Sequence, residues 1–219
     1  MRLLALILLF LCTGCAAPLQ APVYAYQVYL PQGYDSEPGR SYPLILFLHG
    51  ANSANPSGKL IASFLQAHSE FPFILVAPTS GEGWSAPRLD TLLQEVEPRL
   101  RIDPKRRYLT GLSMGARGAA ALGARMPQHF AAIALIAGAG DAELACALRR
   151  VPVRLVHNRA DDIVPLADSQ RYDMVLRSCG GKVNLIVNET LKPGQWPHDA
   201  WTDVYTTPEL YRWFLSKGG

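Results

Sequence analysis

The sequence has no apolar run of the roughly 20 residues needed to span a bilayer as a helix. It has little charge of either sign. Lys+Arg number 21 and Asp+Glu 18, a formal net charge of +3, and no basic run is longer than Lys105-Arg106-Arg107. That argues against nucleic acid as a partner, which needs a basic face. Cysteine is scarce, four in 219 residues, so the chain is not a disulfide-built scaffold; at this length a core can bury roughly 70% of the unfolded surface without one. The 18 Gly and 17 Pro are scattered, which excludes collagen-like and low-complexity chains, and no period of about 20 to 50 residues marks a repeat protein. There is no H-E-x-x-H, and the Cys and His spacings do not suit zinc; no metal and no cofactor is expected. What is present is 49% hydrophobic residues against 18% charged, the profile of one globular domain.

The N-terminus reads as an address. Arg2 is followed by nine apolar residues, 3–11, the shape of an export signal. Leu11-Cys12-Thr13-Gly14-Cys15 resembles the bacterial lipobox, with Cys12 where that pattern has Leu. Residues 1–14 are therefore expected to be a signal peptide, 15–22 a tether and 23–219 the folded domain. Two fates follow: lipidation of Cys15, which would anchor the chain to the envelope membrane, or plain secretion. Both imply export. Once Cys12 is removed and Cys15 carries lipid, Cys146 and Cys179 remain. An oxidising compartment permits a bridge between them; the alternative is two small buried hydrophobes.

Further on, strand and helix patterns alternate. Residues 23–30 are rich in β-branched and aromatic types. Residues 44–48 and 73–77 are continuous apolar runs suited to strands covered on both faces. Between them, Leu60, Ile61, Phe64 and Leu65 predict a helix over 57–68. A helix over 88–100, a short strand at 107–110 and an Ala-rich helix from Ser113 to Met126, stopped by Pro127, follow. Then come a strand at 131–137, a short helix at 141–149, a strand at 153–157, a helix over 165–179 ended by Gly180-Gly181, a strand at 183–187 and a last helix over 199–216. This alternation predicts an α/β domain with a mostly parallel, doubly wound sheet. In such sheets sites gather at the carboxyl ends of strands, here the loops after Leu48, Ala77, Thr110, Ala137, His157 and Val187.

One motif in those loops carries chemistry. Gly111-Leu112-Ser113-Met114-Gly115 is G-x-S-x-G between a strand and a helix, the nucleophile elbow. The turn is so sharp that only small flanking residues avoid a clash between strand and helix. It lifts Ser113 above the sheet at a helix N-terminus, which favours a developing anion. The competing reading is a glycine-rich turn with a capping serine. A serine needs a base to take its proton, and in this arrangement the chain order is Ser, acid, His. Of the five His, only His157 and His198 come late enough. His157 precedes the acids it would need; His198 lies beyond the last strand, where the order puts the base. Asp161 and Asp162 both qualify as the acid. The oxyanion needs backbone donors, and one is the N–H of Met114.

With these residues in place the chain resembles bacterial serine esterases of the α/β-hydrolase superfamily, in particular the dienelactone hydrolase, feruloyl esterase and polyhydroxybutyrate depolymerase-like group. The likeness covers roughly residues 25–216. It is strongest at Tyr29-Leu30-Pro31-Gln32-Gly33-Tyr34, Leu46-Phe47-Leu48-His49-Gly50-Ala51, residues 111–115 and His198-Asp199-Ala200-Trp201. Residues 157–165 resemble the superfamily's H-G-x-x-D-x-x-V-P segment, with Asn158 in place of Gly. That alignment implies Asp161 as the acid, with Asp162 as the alternative; otherwise Asp162 would cap the helix that begins near Pro165. The H-G turn implies Ala51 as the second oxyanion donor and His49 as an anchor of that loop. Trp84 and Trp196 are candidates for substrate contact, with core packing the competing role for Trp84. The family further implies an α/β-hydrolase fold and cleavage of a small-molecule or polymer-linked ester; short loops predict no large lid. The rival readings are a serine peptidase of the same fold and a non-catalytic envelope binding protein.

Overall fold

The structure, a computed structural model, describes residues 23–51 and 56–218. The expected signal, tether and Cys15 lie outside the described residues. The strands are β1 (Ala25–Tyr29), β2 (Tyr42–Leu48), β3 (Ile74–Thr79), β4 (Ile102–Leu112), β5 (Ala132–Ile136), β6 (Val153–Asn158) and β7 (Val183–Asn188). The helices are α1 (Pro56–Ala67), α2 (Ala86–Val96), α3 (Met114–Arg125), α4 (Leu166–Ser178), α5 (Trp201–Thr206) and α6 (Pro208–Leu215). One sheet runs in the order β1-β3-β2-β4-β5-β6-β7. β1 lies antiparallel to β3, and every other pairing is parallel.

β2 shows why. All seven of its residues are buried, so its two faces must both be covered. Leu44, Leu46 and Leu48 pack into a cluster with Leu89 and Leu92 of α2, Ala119 and Leu122 of α3, and Tyr172 and Leu176 of α4. Ile45 and Phe47 point the other way, to Ile61 and Phe64 of α1, Tyr205 of α5 and Tyr211 and Phe214 of α6. Each fully buried Leu or Phe contributes roughly 1.5–3 kcal/mol. A slip of one residue in β2 would exchange the two sets. The doubly wound, mostly parallel sheet is the one the alternation predicts.

Two elements differ from expectation. β4 starts at Ile102 instead of residue 107. Tyr42 pairs with Ile102 and Leu44 with Arg107, so the register shifts and residues 103–106 face Pro43 alone. A bulge of this kind tolerates Pro104, which has no N–H to give the ladder. Asp103 closes it by accepting from the Lys105 N–H and Arg106 Nε. The last helix is two helices. Thr207 is extended, at φ −125° and ψ 155°, because Pro208 disfavours helical geometry in the residue before it and then serves as the first residue of α6.

Residues Ala142–Leu148 form a 3-10 segment, opened by Asp141 accepting from the Glu143 N–H. A disulfide joins Cys146 of that segment to Cys179 at the end of α4, across a Cα–Cα distance of 5.6 Å. Among the described residues, connection 189–200 is as long as any at the carboxyl edge, and nothing there amounts to a lid domain.

Candidate active site

β4 ends at Leu112 and α3 begins at Met114, so Ser113 makes the turn alone. A Cβ on Gly111 would collide with the Gly115 carbonyl, and one on Gly115 with the Leu48 and His49 carbonyls. The glycine spacing is thus a steric requirement. Ser113 lies at φ 53°, ψ −118°, a region that costs a non-glycine residue about 1–3 kcal/mol. The surroundings hold it there. Its N–H donates to the Ile136 carbonyl at 2.8 Å, and its carbonyl accepts from the Ala116 N–H at 3.0 Å.

Connection 189–200 brings His198 over this turn. His198 Nε2 lies 2.9 Å from Ser113 Oγ. Its Nδ1 lies 2.9 and 2.8 Å from Asp161 Oδ1 and Oδ2. Nδ1 faces a carboxylate, so it carries the proton, and Nε2 is left to accept from the serine. His198 is 3% exposed and the Asp161 side chain is fully buried. Asp161 is tied down in turn: its Oδ1 accepts from the Ile163 and Val164 N–H groups at 3.0 and 2.9 Å. Asp162 is exposed. The cap position of α4 is Pro165, with no side-chain cap, so the capping role considered for Asp162 is not the one it has.

Met114 is the first residue of α3, so its N–H has no acceptor within the helix. Ala51 lines the same cleft from the end of β2. His49 anchors that end: its Nδ1 donates to the Gly50 carbonyl at 2.6 Å, and its Nε2 accepts from the Ser80 N–H at 3.1 Å. Burial, only partly offset by the Gly50 hydrogen bond, holds this imidazole below its ordinary pKa. Trp84 does not line the cleft. Its indole N–H donates to the His49 carbonyl at 2.9 Å, and its ring packs on Tyr24 and His49. Packing is the role its contacts describe.

The cleft, about 370 Å³, is lined by Leu112, Ile163, Trp196 and Trp201 around Ser113 and His198. Trp196 is 50% exposed. The rings of Trp196 and Trp201 stand nearly perpendicular to His198, at 5.1 and 5.2 Å. Trp196 is the residue singled out in the sequence; Trp201 and Ile163 were not, although Trp201 lies three residues past the base.

The roles of two neighbours of Asp161 also escaped sequence reasoning. Asn158 Nδ2 donates to the Pro197 carbonyl at 2.9 Å, and its Oδ1 accepts from Asn188 at 2.8 Å. The residue that departs from the superfamily pattern therefore ties β6 and β7 to the histidine loop, and the departure itself was the signal. His157 lies against Asp161 as well.

The sheet order and the strand–turn–helix at Ser113 define an α/β-hydrolase fold. The Esterase family model matches residues 23–173, more than half the chain, and the chain belongs to that family. Over 125 residues it is 31% identical to the "Probable feruloyl esterase C" of Aspergillus terreus and 30% identical to the feruloyl esterase C of Emericella nidulans; each match covers 52% of this chain and 46% of the relative. The chain spans about half the length of the curated relatives it matches. Among solved structures, a thermostable esterase superposes with a TM-score of 0.77 at 24% identity, covering 89% of this chain and 59% of the other. That likeness speaks to the fold.

Proposed function

We propose that this chain is a serine esterase that cleaves carboxylic esters through an acyl-enzyme, with Ser113 as nucleophile, His198 as base and Asp161 as the acid that orients it. The observation that carries the reading is the unbroken run of hydrogen bonds from Ser113 Oγ through His198 to Asp161. As Ser113 Oγ bonds to the ester carbonyl carbon, its proton passes to Nε2, and the carbonyl π electrons move to oxygen. The Met114 and Ala51 N–H groups hold that oxyanion, each donor contributing about 100- to 1,000-fold in rate. On collapse the bond to the alcohol oxygen breaks and His198 protonates the leaving alcohol. Water then repeats the sequence on the acyl-enzyme.

The apolar walls of the cleft suit a flat or short acyl group, and the relatives are named for feruloyl esters. Small aryl and hydroxycinnamoyl esters, free or polymer-linked, are the substrates this reading favours. Export fits the same reading. It is supported by residues 3–11 after Arg2 and by the Cys146–Cys179 bridge, since such bridges persist in oxidising compartments; lipidation of Cys15 would anchor the exported chain, and without it the chain is secreted.

The test is hydrolysis of p-nitrophenyl acetate, methyl ferulate and a peptide p-nitroanilide by the wild type and Ser113→Ala. Turnover of the two esters, lost in Ser113→Ala, is expected. Ester turnover that survives in Ser113→Ala, or a preference for the anilide, overturns it.

A further inference from the structure

Besides His198, one other histidine ring touches Asp161. His157 lies near the end of β6 with no exposed surface. Its Nε2 is 3.0 Å from the Val164 carbonyl oxygen and 3.1 Å from Asp161 Oδ2. A carbonyl and a carboxylate only accept, so Nε2 must carry a hydrogen. Its Nδ1 is 2.8 Å from Ser169 Oγ, and Ser169 of α4 is itself buried. A hydroxyl can serve either partner, and in the neutral ring it donates to Nδ1. The bonds thus run from Ser169 O–H to His157 Nδ1, and from His157 Nε2–H to the Val164 carbonyl, with Asp161 Oδ2 alongside the ring.

We propose that His157 is a positioning residue for Asp161: its Nε2–H pins the Val164 carbonyl, and so the turn whose Ile163 and Val164 N–H groups hold the carboxylate while His198 Nδ1–H is aligned on it. This rests on the reading of Asp161 as the acid. Asp161 Oδ1 takes the Ile163 and Val164 N–H groups, and the same turn is tied to His157 through the Val164 carbonyl. Without the ring, the buried Val164 carbonyl loses its side-chain donor and the turn that carries the carboxylate's backbone donors loses its anchor. A buried carbonyl stripped of its donor moves toward other partners or carries the cost of an unsatisfied acceptor; the turn shifts, Asp161 shifts with it, and the tautomer-holding bond to His198 weakens. Sequence order had set His157 aside because it precedes the acids. That argument excludes it as the base and does not touch this role.

The test uses the full chain and counts competent sites by fluorophosphonate titration. His157→Leu removes the donor. His157→Gln places an amide N–H near the Nε2 position. Per titrated site, His157→Leu is expected to lower kcat about 10- to 100-fold at nearly unchanged KM, the scale typical of partners that orient a reacting group, and His157→Gln to recover most of it. A His157→Leu enzyme as fast per site as the wild type, or a His157→Gln enzyme as slow as His157→Leu, overturns the proposal. If His157→Leu does not fold, the wild-type protein decides. Its imidazole nitrogen–proton correlation spectrum, assigned with His157→Gln, is expected to show His157 protonated at Nε2; a ring bare at Nε2 overturns the proposal. Persistent activity in Ser113→Ala would instead sink the serine reading itself, so the two failures are distinguishable.

Discussion

A serine hydroxyl is a weak nucleophile at neutral pH, so the chemistry proposed for Ser113 depends on which nitrogen of His198 is bare. Asp161 decides that by accepting from Nδ1. Asp161→Asn keeps the size but offers an amide that donates, which favours the wrong tautomer. Its kcat is expected to fall about 10⁴-fold in steady-state hydrolysis; a loss of less than about tenfold would contradict the assignment. A second prediction at this scale concerns His49. Burial lowers its pKa in the folded protein, so the unfolded chain takes up the proton first, near pH 6.5. Stability is then fully present above about pH 6.5 and is lost as pH falls below it. Thermal unfolding followed down from neutral pH should show this decline, and His49→Gln should flatten it; equal slopes in the two proteins would contradict it.

At the scale of elements, the histidine loop is held by the strands beside it. Asn158 reaches Pro197, next to His198, and is held by Asn188 of β7. Restoring the superfamily's residue with Asn158→Gly should therefore harm this chain. It is expected to cost about 1–3 kcal/mol in urea unfolding and to lower kcat/KM about tenfold as His198 loosens; unchanged values would show that the loop does not need the tie. The Cys146–Cys179 bridge closes a separation of 33 residues. Opening it should remove about 3–4 kcal/mol by the loop-entropy argument, read as a melting point roughly 6–16 °C lower under reductant. No shift under reductant, with both thiols shown free, would contradict that.

For the whole molecule, apolar runs and strand–helix alternation were enough to read the sheet, because a strand such as β2 that is buried on both faces has no room for polar residues. Ser113 and His198 were legible for a different reason. The elbow has a steric signature, and chain order restricts the base. Choosing between Asp161 and Asp162 took a family pattern, since adjacent carboxylates look alike until one is buried and the other is not. The bulge at 103–106 was hidden by its charged residues. The roles of His157 and Trp201 were hidden because they depend on contacts made only in the folded chain, His157 with Val164 and Ser169 and Trp201 with Trp196 and His198; for Asn158 the departure from the superfamily pattern marked the position but not its partners Pro197 and Asn188. The cleft walls also set a whole-molecule expectation. Trp196→Ala should raise KM for methyl ferulate more than for p-nitrophenyl acetate, because the larger ring loses more apolar contact; equal changes would place the aromatic group elsewhere.

The most direct measurement is where a fluorophosphonate bonds. Peptide mapping after brief exposure is expected to find the phosphonyl group on Ser113 in the wild type, no adduct in Ser113→Ala, and labelling slowed by orders of magnitude in His198→Ala. Labelling of Ser113→Ala at the wild-type rate, or of His198→Ala as fast as the wild type, would contradict the account.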